Sequence, residues 1–522
     1  PFSPPWMKAR FTREKPKSFE WLEQLHNYKF ILTPMRYPLA LLIPIGIVSA
    51  SLAFSEQKNE PLPEEKTPLG MHLTHLEGEA KGEKIYAQWC ADCHGANGRD
   101  FIQRSWKLGS QEADIKRIIS SGYSLLGMPA YGDVLDPKDI ENVAQFLLKK
   151  ASESPEFRTA PPQMIDAFDL QIRANVIAED LATPWGMDFL NDSTLLFTER
   201  EGNLWVLQSG TKQAILGLPE DFHVKGQGGL LDVMVWNEPD IETPWVYLSY
   251  SKKHPTDNKR SATAVVRGAL TNTEEGYSVA TWETLMVATP YAKTHRHYGS
   301  RLAMGTDQML YVTCGERGMR DVHPQTLRTY PGKVHRLRPD GSIPEDNPFV
   351  GVSGAIPSIW SWGHRNPQGM FIHPETGAVW THEHGPKGGD EINILKKAAN
   401  YGWPEITFGR NYSGTIITRD TSKTGMEQPL HYWLPSIGAC GMDIVRGDAW
   451  PASWQNNLLV GSLSFEYLER LIIDDSGRVR RREKLLGNIG RVRDIARNSK
   501  GEIYVAIEGA GVILHLDPIL KD

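Results

Sequence analysis

The sequence predicts a mainly β protein, a six-bladed β-propeller preceded by a small all-α domain. Three observations carry that expectation. Strand–turn runs of one kind recur six times after residue 190, and a repeated unit of this size is the sequence signature of a propeller. The 522 residues include 47 Gly and 35 Pro, a turn-rich composition. Helical periodicity is confined to residues 71–150. A chain of this length exceeds one compact core, so separate domains are expected. A net charge of −6 argues against a nucleic-acid partner, which would show a basic patch.

In chain order, residues 1–54 read as an N-terminal signal or anchor segment. The first 36 residues hold seven Lys/Arg and three acids, and an apolar stretch follows from Leu39 to Phe54. If translation starts at Met35, this is a signal peptide with Ser51-Leu52-Ala53 as a small-residue cleavage site. Uncleaved, it is an anchor with its basic side in the cytoplasm, although short for a span and interrupted by Pro44 and Gly46. Both readings make the protein exported or periplasmic, the second with inner-membrane association. A buried helix of a cytosolic domain is the third reading. Residues 55–70 are charged and Pro-rich, a linker. Residues 71–151 form the helical domain, with a helix starting at Asp136-Pro137 and burying Ile140, Val143, Ala144, Phe146 and Leu147. Residues 152–169 are a second linker.

The propeller is expected over residues 170–522. Its six similar runs start at Leu195, Val246, Met309, Ala378, Asn457 and Glu502. A pair of β-sandwiches with coincidental similarity is the alternative.

Cys90-Ala91-Asp92-Cys93-His94 is a C-x-x-C-H motif. Two thiols attach to haem vinyl groups and the adjacent histidine binds the iron. It follows an amphipathic stretch (GEKIYAQW) and precedes Gly127-Met128-Pro129. Residues 75–150 resemble a small class I cytochrome c. The resemblance implies haem c held through Cys90 and Cys93, with His94 and Met128 as iron ligands. Read alone, the cysteines also suit a disulfide or half a zinc site, and Met128 suits core packing. Haem attachment of this kind occurs outside the cytoplasm, in agreement with the N-terminal reading.

An electron acceptor needs a donor, yet no dinucleotide-type glycine fingerprint stands between a strand and a helix. The propeller offers polar clusters instead: Gln227; His295, Arg296, His297 and Arg301; Arg365 and Asn366; His382, His384, Gly385 and Pro386; Arg491 and Arg493. Each is expected at the end or start of a strand from a different blade, where propeller loops converge. Several arginines in one pocket suit a polyanionic ligand. Any one of them alone is better explained by a blade-edge salt bridge; the set together is not.

The segments TPWGMDFL, GQGGLLD, HYGSRL, GHRNPQG, GPKGGDEIN and GRVRD resemble, in order, the soluble quinoprotein glucose and aldose sugar dehydrogenase family, with its sorbosone-dehydrogenase-like members, over about residues 175–518. The resemblance implies a six-bladed propeller using pyrroloquinoline quinone (PQQ) and Ca²⁺. It places the general base on His297 and the quinone contacts on Gln227, Arg365, Asn366, Arg491 and Arg493. It places calcium on the carbonyls of Gly385 and Pro386, and a stacking aromatic on Trp433. Three positions depart. A family lysine is Ser464, a cofactor-contacting glutamine is Arg317, and the acidic residue before the base is Arg296. The expectation is that Arg317 or Arg296 replaces the lost lysine as a carboxylate partner; the rival is that quinone binding is weakened.

Two further expectations concern pairs. Cys314 and Cys440 are candidates for a disulfide that export would permit. His382 and His384 suit hydrogen bonding better than a metal. The reading is an exported quinohaemoprotein dehydrogenase that oxidises a sugar or polyol at PQQ. Electrons then pass to its own haem and on to a cytochrome, an oxidase or the quinone pool. The alternative is a cytochrome c fused to a non-redox propeller, a carbohydrate-binding module or lactone hydrolase. Specificity is expected in the loops Ser251–Arg260 and Arg410–Gln428.

Overall fold

The computed structural model describes residues 78–94, 111–122, 128, 130–153, 164–238, 241–474, 477–487 and 489–520. The N-terminal segment 1–54 and the linker 55–70 lie outside them. No helix among the described residues is long and apolar enough to cross a membrane.

Six antiparallel sheets form the propeller. Their innermost strands are Pro184–Asn191, Leu230–Trp236, Gly299–Met304, Pro367–Ile372, Ala439–Ile444 and Arg491–Arg497 for blades 1 to 6. Each packs against the next, and the sixth against the first, which closes the ring. Blade 6 is completed by the N-terminal strand Gln171–Ala178, paired with the C-terminal strand Val512–Ile519. Both ends of the propeller chain therefore share one sheet.

The six runs legible in the sequence are all second strands, from Thr194–Glu199 and Trp245–Lys253 in blades 1 and 2 to Ile503–Glu508 in blade 6. Four of the six are buried along their whole length, including Leu310–Cys314 and Leu458–Ser462. A strand covered on both faces reads as a continuous apolar run. Apolar clusters fill each gap between neighbouring blades. Leu195 and Phe197 of blade 1 meet Ala506 and Ile513 of blade 6, and Leu459 and Leu468 of blade 5 meet Val492 and Ile495 of blade 6.

Aspartates on the inner strands tie blade to blade. Asp188 accepts from Val235 N at 2.6 Å, Asp232 from Leu302 N at 2.9 Å, and Asp494 from Met187 N at 2.8 Å. Asp390, at the start of the third strand of blade 4, does the same for Ala439 N at 3.0 Å. Burial raises all four carboxyls, Asp188 to about 7. The backbone N–H groups that they accept from would otherwise be orphans in the channel wall.

Before the propeller lie the helices Gly78–Trp89, Ala91–His94, Glu112–Ser121 and Pro137–Glu153. Asp136 caps the last through Lys138 N (2.9 Å), with Pro137 at the first helical position, where its missing N–H costs nothing. The expected apolar face is buried as a whole and packs on Ile85 and Tyr86 of the first helix. Gly82 allows that contact, since a Cβ there would strike the backbone carbonyl of Asn142. The boundary placed at residue 170 moves: the helix runs to Glu153, and Met164–Asp166 already pairs with Gln171–Arg173. The two ends of the expected linker 152–169 thus belong to ordered elements.

Candidate active site at the mouth of the propeller

The loops leading into the inner strands of blades 2, 3 and 4 meet around His297. Its backbone lies in the left-handed region (φ 55°), which a non-glycine residue adopts only when neighbours hold it there. The holding contacts are explicit. His297 N donates to Gln227 Oε1 at 2.7 Å, and its carbonyl accepts from Arg317 N at 3.3 Å. Gly315 must be glycine, because a Cβ would meet the His297 carbonyl and the Asn366 side chain.

His297 Nδ1 lies 2.6 Å from Glu316 Oε1. Burial and then the Arg365 charge push the imidazole down to about 4, so it is neutral at pH 7. The contact is therefore a hydrogen bond from Nδ1–H to a carboxylate, which leaves Nε2 as the acceptor. Burial raises the Glu316 carboxyl, but His297 and Arg365 outweigh it and hold it below its usual range. A neutral imidazole backed by a carboxylate is a general-base arrangement. The sequence reading missed Glu316; the signal available was an acid beside Arg317 in the GERG turn.

Asn366 Oδ1 accepts from Gly299 N at 3.1 Å, and Arg365 O accepts from Glu316 N at 2.8 Å, so the GHRN segment of blade 4 is locked to the base loop of blade 3. Arg365 Nη1 donates to the His384 carbonyl at 3.0 Å. A narrow cleft opens beside it, lined by Arg365, Glu383, His384, Gly385, Glu391 and Trp403. Gly385 N donates to Asp390 Oδ1 at 2.8 Å, and Ser436 Oγ donates to the Pro386 carbonyl at 3.1 Å. Burial, then Glu383, raises Glu391 well above the usual carboxylate range. In blade 6, Arg491 and Arg493 converge on Glu508, and these two charges outweigh burial to hold its carboxyl well below normal.

The clusters come from fewer blades than expected: blade 3 supplies both HRHYGSR and GERG, and blade 4 supplies both GHRN and GPKGG. Trp433 is not at the mouth. It is fully buried between blades 4 and 5 and donates to Glu469 Oε2 at 2.7 Å, so it has no open face on which a ring could stack. Ser464 lies in a blade 5 loop, where its N donates to the Ile437 carbonyl at 2.9 Å. Arg317 packs instead on Tyr298 of blade 3 and Ser261 of blade 2, so it does not stand where the family lysine would. His382 is buried and His384 half-buried, and each reaches a blade 5 carbonyl, of Gly441 at 3.3 Å and of Ala439 at 2.7 Å, which is the hydrogen-bonding role expected. No cluster of three metal-ligating side chains exists among the described residues.

Cys314 and Cys440 are both buried and not bridged. Cys314 packs in the core between blades 2 and 3, and burial pushes its thiol up to about 12. Cys440 faces Arg301 and Arg493. Both are expected to stay inert to a bulky thiol reagent in the folded, haem-loaded protein; a fast-reacting equivalent would contradict this placement.

In the helical part, the motif starts at the end of a helix: Cys90 N bonds Tyr86 O at 2.8 Å, and His94 N bonds Cys90 O at 3.0 Å. Cys90 and Met128 are partly buried against the same apolar core. Tyr86 Oη donates to the His94 carbonyl at 3.1 Å. The Cys93 side chain lies outside the described set.

A six-bladed propeller with this mouth, joined to a C-x-x-C-H module, defines a class: propeller oxidoreductases carrying a cytochrome c domain. The chain belongs to the glucose/sorbosone dehydrogenase family, whose model matches residues 181–515. Residues 77–147 match the model of the cbb3-type cytochrome c oxidase subunit III. The propeller is similar to the aldose sugar dehydrogenase YliI of Escherichia coli (strain K12), at 37% identity over 66% of this chain and 93% of that protein. It is also similar to quinoprotein glucose dehydrogenase B of Acinetobacter calcoaceticus, at 32% identity over 67% and 88%. The apo crystal structure of the soluble E. coli aldose sugar dehydrogenase superposes with a TM-score of 0.62, at 35% identity over 67% of this chain and all of that one.

Proposed function

We propose that the chain is an exported quinohaemoprotein that oxidises a sugar or polyol hydroxyl at PQQ and passes the electrons to its own haem c. The observation that carries the reading is the Gln227–His297–Glu316 chain, set beside arginines whose buried Nε–H groups make no hydrogen bond. Arg365 Nε is buried and bonds nothing, and Arg491 Nε is buried and misaligned for Glu508 although 3.3 Å from it. Idle buried donors of this kind fit a ligand rich in carboxylates. The residues that would hold PQQ are Gln227, Arg365, Asn366, Arg491 and Arg493. Ca²⁺ would take the Gly385 and Pro386 carbonyls. That loop is a tight cradle, in which a Cβ on Gly385 would fill the space of the Gly388 and Gly389 carbonyls, and Glu383, Asp390 and Glu391 make its surroundings acidic.

Bound PQQ, polarised by Ca²⁺, would supply the two-electron acceptor. The chain's own part is proton handling and orientation. His297 Nε2 accepts the hydroxyl proton, and Glu316 stabilises the imidazolium that forms. Gln227 and Arg317 hold the base loop in its left-handed turn. In the helical domain, Cys90, Cys93, His94 and Met128 would hold haem c. A thioether ligand sets a high potential, which suits a haem that receives electrons. A cytochrome or oxidase acceptor is favoured by the match to an oxidase subunit.

The test is an anaerobic visible spectrum of the oxidised full chain loaded with PQQ and Ca²⁺. Aldose- or polyol-dependent growth of the reduced haem α-band, absent when either PQQ or Ca²⁺ is omitted, is the expected result. A haem that stays oxidised across the panel, in protein that binds no PQQ, would overturn the reading in favour of a non-redox propeller.

A further inference from the structure

Six arginines are buried among the described residues: Arg301, Arg317, Arg336, Arg365, Arg470 and Arg493. Four are neutralised by carboxylates: Arg301 by Asp232 and Asp494, Arg336 by Asp307 and Asp346, Arg470 by Asp169 and Glu483, Arg493 by Glu508. Arg317 and Arg365 have no such partner among the described residues. These two flank the base, since Arg317 N bonds the His297 carbonyl and Arg365 O accepts from Glu316 N. The proposed function uses Arg365. It leaves Arg317, 2% exposed, without a counter-charge.

Arg317 is held firmly but incompletely. Nη2 donates to the Thr294 carbonyl at 2.6 Å, and the guanidinium lies 3.5 Å over the Tyr298 ring. Nε and Nη1 are buried and bond nothing. The surrounding groups are also unpartnered nitrogens: Arg296 Nε, His223 Nε2 and His295 Nδ1. The two imidazoles are more than nine-tenths buried and stand 5.1 Å apart. Burial and then Lys225 lower both, with Arg317 contributing, which places its charge near them. The one acid in this cluster, Glu316, already serves His297. A buried guanidinium with idle N–H groups and no anion is unfavourable unless a ligand supplies one.

We propose that Arg317, Arg296, His223 and His295 form a recognition site for an anionic group on the substrate, so that the preferred substrate is a sugar carrying a carboxylate or a phosphate. The inference deepens the dehydrogenase reading and rests on it for the identity of the base. Arg296 and His295 precede His297 directly, and Arg317 bonds its carbonyl, so the anion would dock on the loop that presents Nε2 to the reacting hydroxyl. The free N–H groups on Nε and Nη1 can each donate to an oxygen of either oxyanion.

The experiment uses the full chain loaded with PQQ, Ca²⁺ and haem. Binding of glucose, glucuronate and glucose 6-phosphate is measured by calorimetry, and haem reduction is followed with each. At least tenfold tighter binding of one anionic sugar than of glucose is expected, weakening with salt; which of the two wins tells carboxylate from phosphate. Arg317→Gln should erase most of that preference, and Arg317→Lys should retain part of it. Because Arg317 is buried, Arg296→Gln at a half-exposed position is the second variant, expected to lower the preference several-fold. Equal affinity for all three sugars in the wild type, or a preference untouched in both Gln variants, would overturn the proposal. Reduction of the haem by glucose without any preference for the anions would sink this inference and leave the dehydrogenase intact. Tight binding of an anionic sugar with no haem reduction would support the site and sink the dehydrogenase.

Discussion

Replacing Arg301 with leucine is expected to cost about 3–5 kcal/mol of stability, the usual loss when one partner of a buried ion cluster is removed. The guanidinium lies across the propeller axis and touches every blade. Nη1 is 3.0 Å from Asp232 Oδ1 of blade 2 and 2.7 Å from Asp494 Oδ1 of blade 6. Nε donates to the Gln368 carbonyl of blade 4 at 2.8 Å, and Nη2 to the Arg493 carbonyl of blade 6 at 3.0 Å. Nη2 also faces Cys440 Sγ of blade 5 at 3.9 Å, and the plane lies 4.5 Å from the Trp185 ring of blade 1. Arg301 itself belongs to blade 3. Without it, two buried carboxylates face each other with no cation. Burial already raises both, Asp494 to about 7, although Arg301 pulls them down. Leucine would leave two carbonyls, two carboxylates and a thiol without their donor, each a further cost. Domains commonly have only about 5–15 kcal/mol in hand, so the denaturant midpoint should fall sharply. Lysine is a poor substitute, because a single ammonium cannot reproduce the planar set of donors. A midpoint shift equivalent to less than about 1 kcal/mol, the worth of an exposed pair, would show that the hub is dispensable.

That hub marks the boundary of what could be read from the sequence. The second strands were legible because burial on both faces writes an unbroken apolar run, as in Leu458–Ser462. The inner strands were harder, since their buried polar residues interrupt the run. Yet they repeat a pattern: Gly186-Met187-Asp188-Phe189 in blade 1 and Gly441-Met442-Asp443-Ile444 in blade 5. That aspartate is the blade-to-blade tie seen at Asp188. Arg301 was visible only as one more basic residue in HYGSRL, because nothing local says that its partners lie on five other strands. Site residues within a motif, such as His297 and Asn366, were recoverable one by one. Trp433 was not, since an aromatic in a loosely matching segment suits a core as well as a ligand face. The missing acid, Glu316, joins the base only through the tertiary approach of two loops of blade 3.

Glu316→Gln is expected to lower kcat about 10²–10⁴-fold, the range attributed to a positioned base, while the propeller stays folded. Glutamine keeps the shape but can present its amide N–H to Nδ1, which would put the ring proton on Nε2 and block the acceptor. The pH dependence separates this from a packing defect. In the wild type burial pushes the imidazole down to about 4, so kcat/KM should hold from neutral pH downward and fall only as pH drops through that value. Glu316 is among the groups that raise it and Arg296 among those that lower it. Removing the carboxylate therefore moves the acid limb to still lower pH, and Arg296→Gln moves it upward. Lower amplitude with an unmoved limb would mean that Glu316 only supports the loop. An acid limb in the wild type near 6.5, the ordinary imidazole value, would mean that burial and Arg365 do not depress the base as the geometry requires.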